Sequence, residues 1–219
     1  MTWIGITDHQ EGRFSVNGLG LDRCDVAQVS LNEESVMPRG TLMVETRMSP
    51  NGRPQVLFGF KKTHPWERAF SLQAIPGGGI AMVYTDQSEV AHAAQSWKGS
   101  GRTDVVRITY AWDAPAGWGR FSLERPEEAT FQSVTVTDPK PLSAHDLRQV
   151  ILGHGPRDFS TDVVFAAVSD EIEPIGPSPT LSCDTPIATP YGFRPVSRLM
   201  RGDTVISQSS GVVPVLHQV

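Results

Sequence analysis

Cysteine is scarce in this 219-residue chain: there are two, Cys24 and Cys183, far apart and outside any Cys-x-x-Cys or Cys/His spacing. That distribution excludes a clustered zinc site and a disulfide-stapled scaffold, and leaves one long-range bridge between the two as an open alternative. Long apolar runs are missing as well. Nowhere do about 18 apolar residues follow one another, so no transmembrane helix is expected. Positive charge is in deficit, with 19 Lys and Arg against 24 Asp and Glu and a formal net charge of −5. No basic field exists to draw in nucleic acid or an anionic membrane. The opening stretch Met1–Asp8 has no basic segment followed by an apolar one. A classical secretory signal is therefore not expected, and the compartment stays undefined.

Helical periodicity is nearly absent up to about residue 170. What stands in its place is alternation. Thr41–Arg47 sets Leu42, Val44 and Thr46 against Met43, Glu45 and Arg47, the period-2 pattern of a strand with one covered face. Gln55–Lys61 sets Val56, Phe58 and Phe60 against Leu57, Gly59 and Lys61, and Ser49-Pro50-Asn51-Gly52 between the two segments predicts a turn and hence a hairpin. The same grammar recurs in Phe70/Leu72/Ala74, a Pro76–Gly79 turn and Ile80/Met82/Tyr84. It recurs again in Val106/Ile108/Tyr110/Trp112, a turn at Ala114–Gly117, and Phe121/Leu123. Val134/Val136 and the run Val163–Val168 supply further strands. Hydrophobic residues at 39% and charged residues at 20% support a globular core rather than global disorder or a fibre. The 20 Gly and 17 Pro supply the many turns that short strands need. Regular strands without βαβ alternation predict an all-β, antiparallel sandwich. One short helix is expected at Ser143–Arg148, with Ser143 as N-cap.

From Glu171 to Pro179 there are three prolines and a glycine, a composition that makes a stiff, extended connection. The expected organisation is a sandwich over 1–172, a Pro-rich linker over 173–179 and a second module over 180–219.

The strand order of 1–172 resembles the concanavalin A-like lectin and laminin-G sandwiches. The features that carry this are Gly40–Glu45, Val105–Asp113 followed by Gly119–Glu124, Ile151-Leu152-Gly153, and the closing Phe159–Ser169 segment. The resemblance implies a jelly-roll-like fold and a carbohydrate or protein ligand for the sandwich. The last fifth of the chain carries a more specific signature. Thr185, Ile187, Thr189, Gly192, Val196, Leu199, Gly202, Asp203 and Val205 fall, without a gap, on the opening block of the Hint (Hedgehog/intein) family, which that segment resembles.

Pro190-Tyr191-Gly192 reads as a hairpin turn, Val196 and Leu199 as one apolar helical turn, and Gly202-Asp203 as its closure before a Thr204–Ile206 strand. In that family the residue opening the block, usually Cys or Ser, attacks the preceding carbonyl in an acyl shift that leads to autoproteolysis or splicing. Counting back through the block places Thr180 at that position, with Cys183 three residues on. Asp184 stands where the family has glycine, Pro186 follows Thr185, and no Thr-x-x-His or terminal His-Asn pair occurs between Val205 and Val219. The resemblance therefore implies a truncated self-processing module, inactive or incomplete in this chain, with Cys183 and Thr180 as its candidate nucleophiles and His217 as a surface residue.

In the sandwich, His64, Trp66 and Glu67 share one stretch, His64-Pro65-Trp66-Glu67-Arg68. An indole that stacks on a sugar face beside an imidazole and a carboxylate that bind its hydroxyls makes this the candidate binding site. The alternative is a loop Trp that caps the edge of the core. Trp97, Trp112 and Trp118 read as core or rim aromatics. Asp86, Glu89, Asp104 and Asp113 lack Asp-x-Asp-x-Asp-Gly spacing and read as solvated acids. Neither a metal nor a cofactor is expected. No Glu-x-Asp-x-x-Glu strand supports glycosidase chemistry, and Pro76–Gly79 lacks the Lys-Ser/Thr of a phosphate loop.

Overall fold

The computed structural model describes residues 3–15, 35–48, 53–76, 78–96, 103–128, 130–174, 184–200, 202–207 and 211–215. The chain divides into two compact units, Met1–Gly176 and Pro177–Val219.

The first unit is an all-β, antiparallel, jelly-roll-like sandwich. Its larger sheet runs, in spatial order, β11 (Thr130–Thr137), β10 (Trp118–Arg125), β9 (Asp104–Asp113), β4 (Arg39–Met48), β14 (Val163–Ser169), β1 (Trp3–Thr7) and β2 (Gly12–Phe14). The smaller runs β13 (Arg157–Phe159), β5 (Gln55–Lys62), β6 (Arg68–Ala74), β7 (Gly79–Asp86) and β8 (Glu89–Ser96). A short ladder of β3 (Val36–Met37) and β12 (Leu142–Ser143) leads into the helix α1 (Ala144–Leu152).

Alternation decides which side chains face inward. Leu42, Val44, Ile108, Tyr110, Trp112 and Phe121 line the inner face of the larger sheet. Leu57, Phe58, Phe70, Leu72, Ile80, Met82 and Tyr84 line that of the smaller, and all of these are buried. Phe70 and Tyr110 stack across the gap with ring centroids 6.2 Å apart, joining the two layers. Two of the deepest aromatics, Trp112 and Tyr84, have their polar tips paired. The Trp112 indole N–H donates to the Met37 carbonyl at 3.0 Å, and the Tyr84 hydroxyl donates to the Pro141 carbonyl at 3.1 Å. Leaving such a group unpaired in the core would cost about 1–3 kcal/mol.

Two hairpins form in the register their alternation implies. Ala74, Leu72 and Phe70 face Ile80, Met82 and Tyr84, while Trp112, Tyr110 and Ile108 face Gly119, Phe121 and Leu123. The expected hairpin of the 41–47 and 55–61 segments does not form. β4 pairs with β9 and β14, and β5 pairs with β6 and β13 in the other sheet. Alternation says which face of a strand is covered, not which strand lies beside it, and in a sandwich consecutive strands can cover each other face to face. An irregularity between Val56 and Phe58 breaks the simple alternation within β5. Val56 is exposed while Leu57 and Phe58 are both buried.

The helix is longer than expected. Ser143 caps it, its Oγ accepting the Asp146 N–H at 3.2 Å, and the helix runs on to Gly153, which ends it at φ 76°. Glycine is the residue that enters this left-handed conformation without a Cβ penalty. Leu147, Val150 and Ile151 face the core. After β14 the chain is tied back onto the sheet. Glu173, read as the first linker residue, is buried, its carboxylate accepting from Ser169 Oγ at 2.9 Å and its N–H donating to Thr41 Oγ1 at 2.9 Å. Positions 175–179 of the expected linker lie outside the described residues.

The second unit holds two hairpins, β15 (Pro186–Thr189) with β16 (Gly192–Pro195), and β17 (Thr204–Ser207) with β18 (Gly211–Pro214).

Candidate functional site

The loop 63–67 joins β5 to β6, and it carries His64, Trp66 and Glu67 together, all three exposed. The His64–Pro65 peptide bond is cis. Trp66 is 39% exposed. One side of its indole is taken by Arg68, whose guanidinium carbon lies 5.5 Å from the ring centroid, a cation–π contact. Glu67 reaches Lys61 at 4.0 Å, and its carbonyl accepts the N–H of Gln87 at 2.8 Å, fastening the loop to the β7–β8 turn.

Beneath the loop lies a buried ion cluster that the sequence reading missed. Asp146, on the first turn of α1, has a side chain with no exposed surface. Lys62 Nζ approaches its Oδ1 at 2.6 Å and Arg68 Nη2 its Oδ2 at 2.8 Å. Lys62 is the last residue of β5 and Arg68 the first of β6, so the two cations flank the loop. Asp86 faces Arg68 across the β6–β7 ladder. The available signal was slight: an acid three residues after a serine N-cap reads as an exposed cap residue, and nothing in sequence spacing links it to positions 62 and 68.

A second polar cluster lies on the other sheet. Arg107 of β9 bridges Glu45 of β4 and Glu124 of β10 at 2.8 and 2.9 Å. These three occupy one cross-strand row. All are partly exposed, which keeps the pairing weak through solvent screening.

Of the acids weighed as calcium ligands, Asp86 and Glu89 face each other at the start of the β7–β8 ladder. Glu89 pairs with Lys140 at 2.9 Å, and Asp113 accepts the Ala116 N–H at 3.2 Å. Among the described residues no group of three or more His, Cys, Asp or Glu could hold a metal ion. Trp112 is in the core and Trp118 is exposed at its rim. Trp97 lies outside the described residues.

In the second unit the motif positions serve the backbone. Pro190-Tyr191 is the two-residue turn of the first hairpin, with Thr189 Oγ1 donating to the Gly192 carbonyl at 2.6 Å and Gly192 at φ 108°. Val196–Arg198 is a single 3-10 turn closed by the Leu199 N–H on the Val196 carbonyl at 3.0 Å. The Asp203 carboxylate accepts the Met200 N–H at 2.9 Å, and Gly202 adopts φ 94°. The Val196 N–H donates to Thr185, and the Gly202 N–H to Val215, at 3.0 and 2.8 Å. The candidate nucleophiles Thr180 and Cys183, with Cys24 and His217, lie outside the described residues.

Fold and sites together define an antiparallel β-sandwich with an exposed aromatic loop, followed by a small unit of two hairpins. No family model matches the chain, and no curated protein does. Among solved structures it is similar to the CBM40 of the Ruminococcus gnavus IT-sialidase, bound to α2,6-sialyllactose, at 12% identity, covering 62% of this chain and 78% of that one with a TM-score of 0.39. A likeness at that level carries no information about a ligand. No helix among the described residues is long and apolar enough to cross a membrane.

Proposed function

We propose that this chain couples a ligand-binding β-sandwich to the opening strands of a Hint-type self-processing module. The observation that carries the second half is the use each motif residue finds in the hairpins. Gly192 and Gly202 hold left-handed backbone, Asp203 receives the Met200 N–H, and Val196 returns a hydrogen bond to Thr185. These are roles a conserved-type block would need for its backbone, and they support the family reading of Thr185–Val205. The chemistry of such a module is an acyl shift. The hydroxyl of Thr180 or the thiol of Cys183 adds to the preceding carbonyl carbon, the C–N bond breaks, and the freed amine takes the proton. The shift is read out with an added nucleophile. The full chain is incubated with hydroxylamine and followed by mass spectrometry. A fragment ending just before the attacking residue, lost in either Thr180→Ala or Cys183→Ala, is the expected result. A chain that stays intact under every condition refutes self-processing by these strands.

A second reading concerns the sandwich: it binds a glycan or a protein through the 63–67 loop. Trp66, exposed above Arg68, supports it, because an indole backed by a cation offers a flat, apolar platform for a pyranose ring. Glycan arrays probed with the full chain and with Trp66→Ala test it. Binding that disappears in the variant supports the reading, and an array blank for both forms, together with blank pull-downs, refutes it.

A further inference from the structure

We infer that Asp146 is the positioning residue of the 63–67 loop, holding Trp66 in one presentation through a buried clamp on both loop ends; this rests on the reading of that loop as a binding site. Lys62 and Arg68 close opposite ends of the loop, and both reach the two oxygens of one carboxylate, at 2.6 and 2.8 Å. That carboxylate has no exposed surface, Arg68 retains 6% and Lys62 15%. An ion cluster this dry is costly to assemble and contributes little net stability over an apolar replacement, so its use is to fix geometry. Loss of the carboxylate leaves a half-buried Lys62 and a buried Arg68, with Asp86 opposite the latter, short of one negative charge, and the cheapest relief is for the loop ends to separate and carry the charges toward water.

Arg68 has a double engagement. Its guanidinium binds Asp146 at one nitrogen and lies 5.5 Å from the centre of the Trp66 ring. Orientation therefore passes from α1 through Arg68 to the indole. The anchor itself is rigid: Asp146 sits at the third position of a helix whose N-cap Ser143 holds its N–H at 3.2 Å. Neither Asp146 nor Arg68 needs to touch the ligand.

The test labels the full chain with 5-fluorotryptophan. The Trp66 resonance is assigned by its absence in Trp66→Phe, and Asp146→Asn, which keeps shape and removes charge, is then compared. The expected result is a shifted or broadened Trp66 signal with the core Trp112 signal unchanged, and binding of the array-selected glycan weakened about tenfold, as misplacement of a positioned group does. A Trp66 signal identical to that of the parent overturns the clamp. Should Asp146→Asn not fold, Lys62→Met removes one arm only, and the same criterion applies to it. The two readings separate cleanly. A Trp66 signal that responds in a chain blank in both glycan arrays and pull-downs keeps the clamp and defeats the binding site, whereas glycan affinity and a Trp66 signal both indifferent to Asp146→Asn do the reverse.

Discussion

Gly40 and Trp112 face each other across the β4–β9 ladder, and the absence of a side chain on one makes room for the other. A Cβ placed on Gly40 would lie 2.6 Å from Trp112 Cζ2, 2.7 Å from Cη2 and 2.6 Å from the Ser169 carbonyl oxygen. Carbon contacts that close are repulsive, and the ring cannot retreat because it is fully buried and tethered through its N–H to Met37. Gly40→Ala is thus an overpacking substitution worth about 1–3 kcal/mol of destabilisation. Trp112→Phe removes ring volume and orphans the Met37 carbonyl, costing about 2–4 kcal/mol from the cavity and the lost hydrogen bond together. In the double variant the smaller ring no longer reaches the new methyl group, so the two costs fall short of their sum by about 1 kcal/mol, while the Ser169 contact keeps the rescue incomplete. Urea unfolding of the four chains, followed by near-ultraviolet circular dichroism, measures the cycle. Additivity within about 0.5 kcal/mol would show that the indole does not occupy the space above Gly40.

Burial pushes the Tyr84 and Tyr110 phenols well above their ordinary value, with the Asp86 carboxylate adding to the effect at Tyr84. The folded state then holds protons that the unfolded chain releases near pH 10, so stability is complete below about pH 10 and declines as pH rises beyond it. Alkaline difference spectra should show these two phenolates appearing only together with unfolding, and their reversible appearance in a folded chain would contradict the packing. In the second unit, Gly192→Val forces a β-branched residue to φ 108°, a cost of about 1–3 kcal/mol. Hydrogen exchange should show the Val196 amide, bonded to Thr185, losing protection while Leu72 and Ile108 in the sandwich keep theirs.

Strand existence and facing were legible because burial imposes period 2 on the sequence. Phe70/Leu72/Ala74 against Ile80/Met82/Tyr84 is a case in which a Pro-Gly turn also fixes the partner, and the pairing follows. Where no short turn joins two strands, partnership is a long-range property. β4 finds β14, more than a hundred residues away, and β9, 56 to 74 residues away, on the strength of complementary inner faces that no local window contains. The edge strands β2 and β13 have three residues each and β1, between β14 and β2, has five, while β8 buries only alternate alanines. Short length in β1, β2 and β13 and small side chains in β8 leave too little alternation to read.

The candidate loop can be singled out in the composition, whereas what surrounds it cannot. His64, Trp66 and Glu67 stand out because a loop has no packing reason to hold an imidazole, an indole and a carboxylate in four positions. Beside them two strand ends meet a helix start, and sequence spacing encodes none of it: Lys62 and Arg68 look like ordinary strand-end cations, and Asp146 like an exposed helix-cap acid. Burial changes their meaning. A carboxylate in water at the head of a helix would interact with any passing lysine for a few tenths of a kcal/mol, whereas one stripped of solvent must be matched by fixed cations or the helix start cannot seat. The same three residue types therefore pass from decoration to constraint solely through the packing of α1 against the β5–β6 connection, so a variant that leaves the charges in place but shifts α1 should disturb Trp66 as much as one that deletes them.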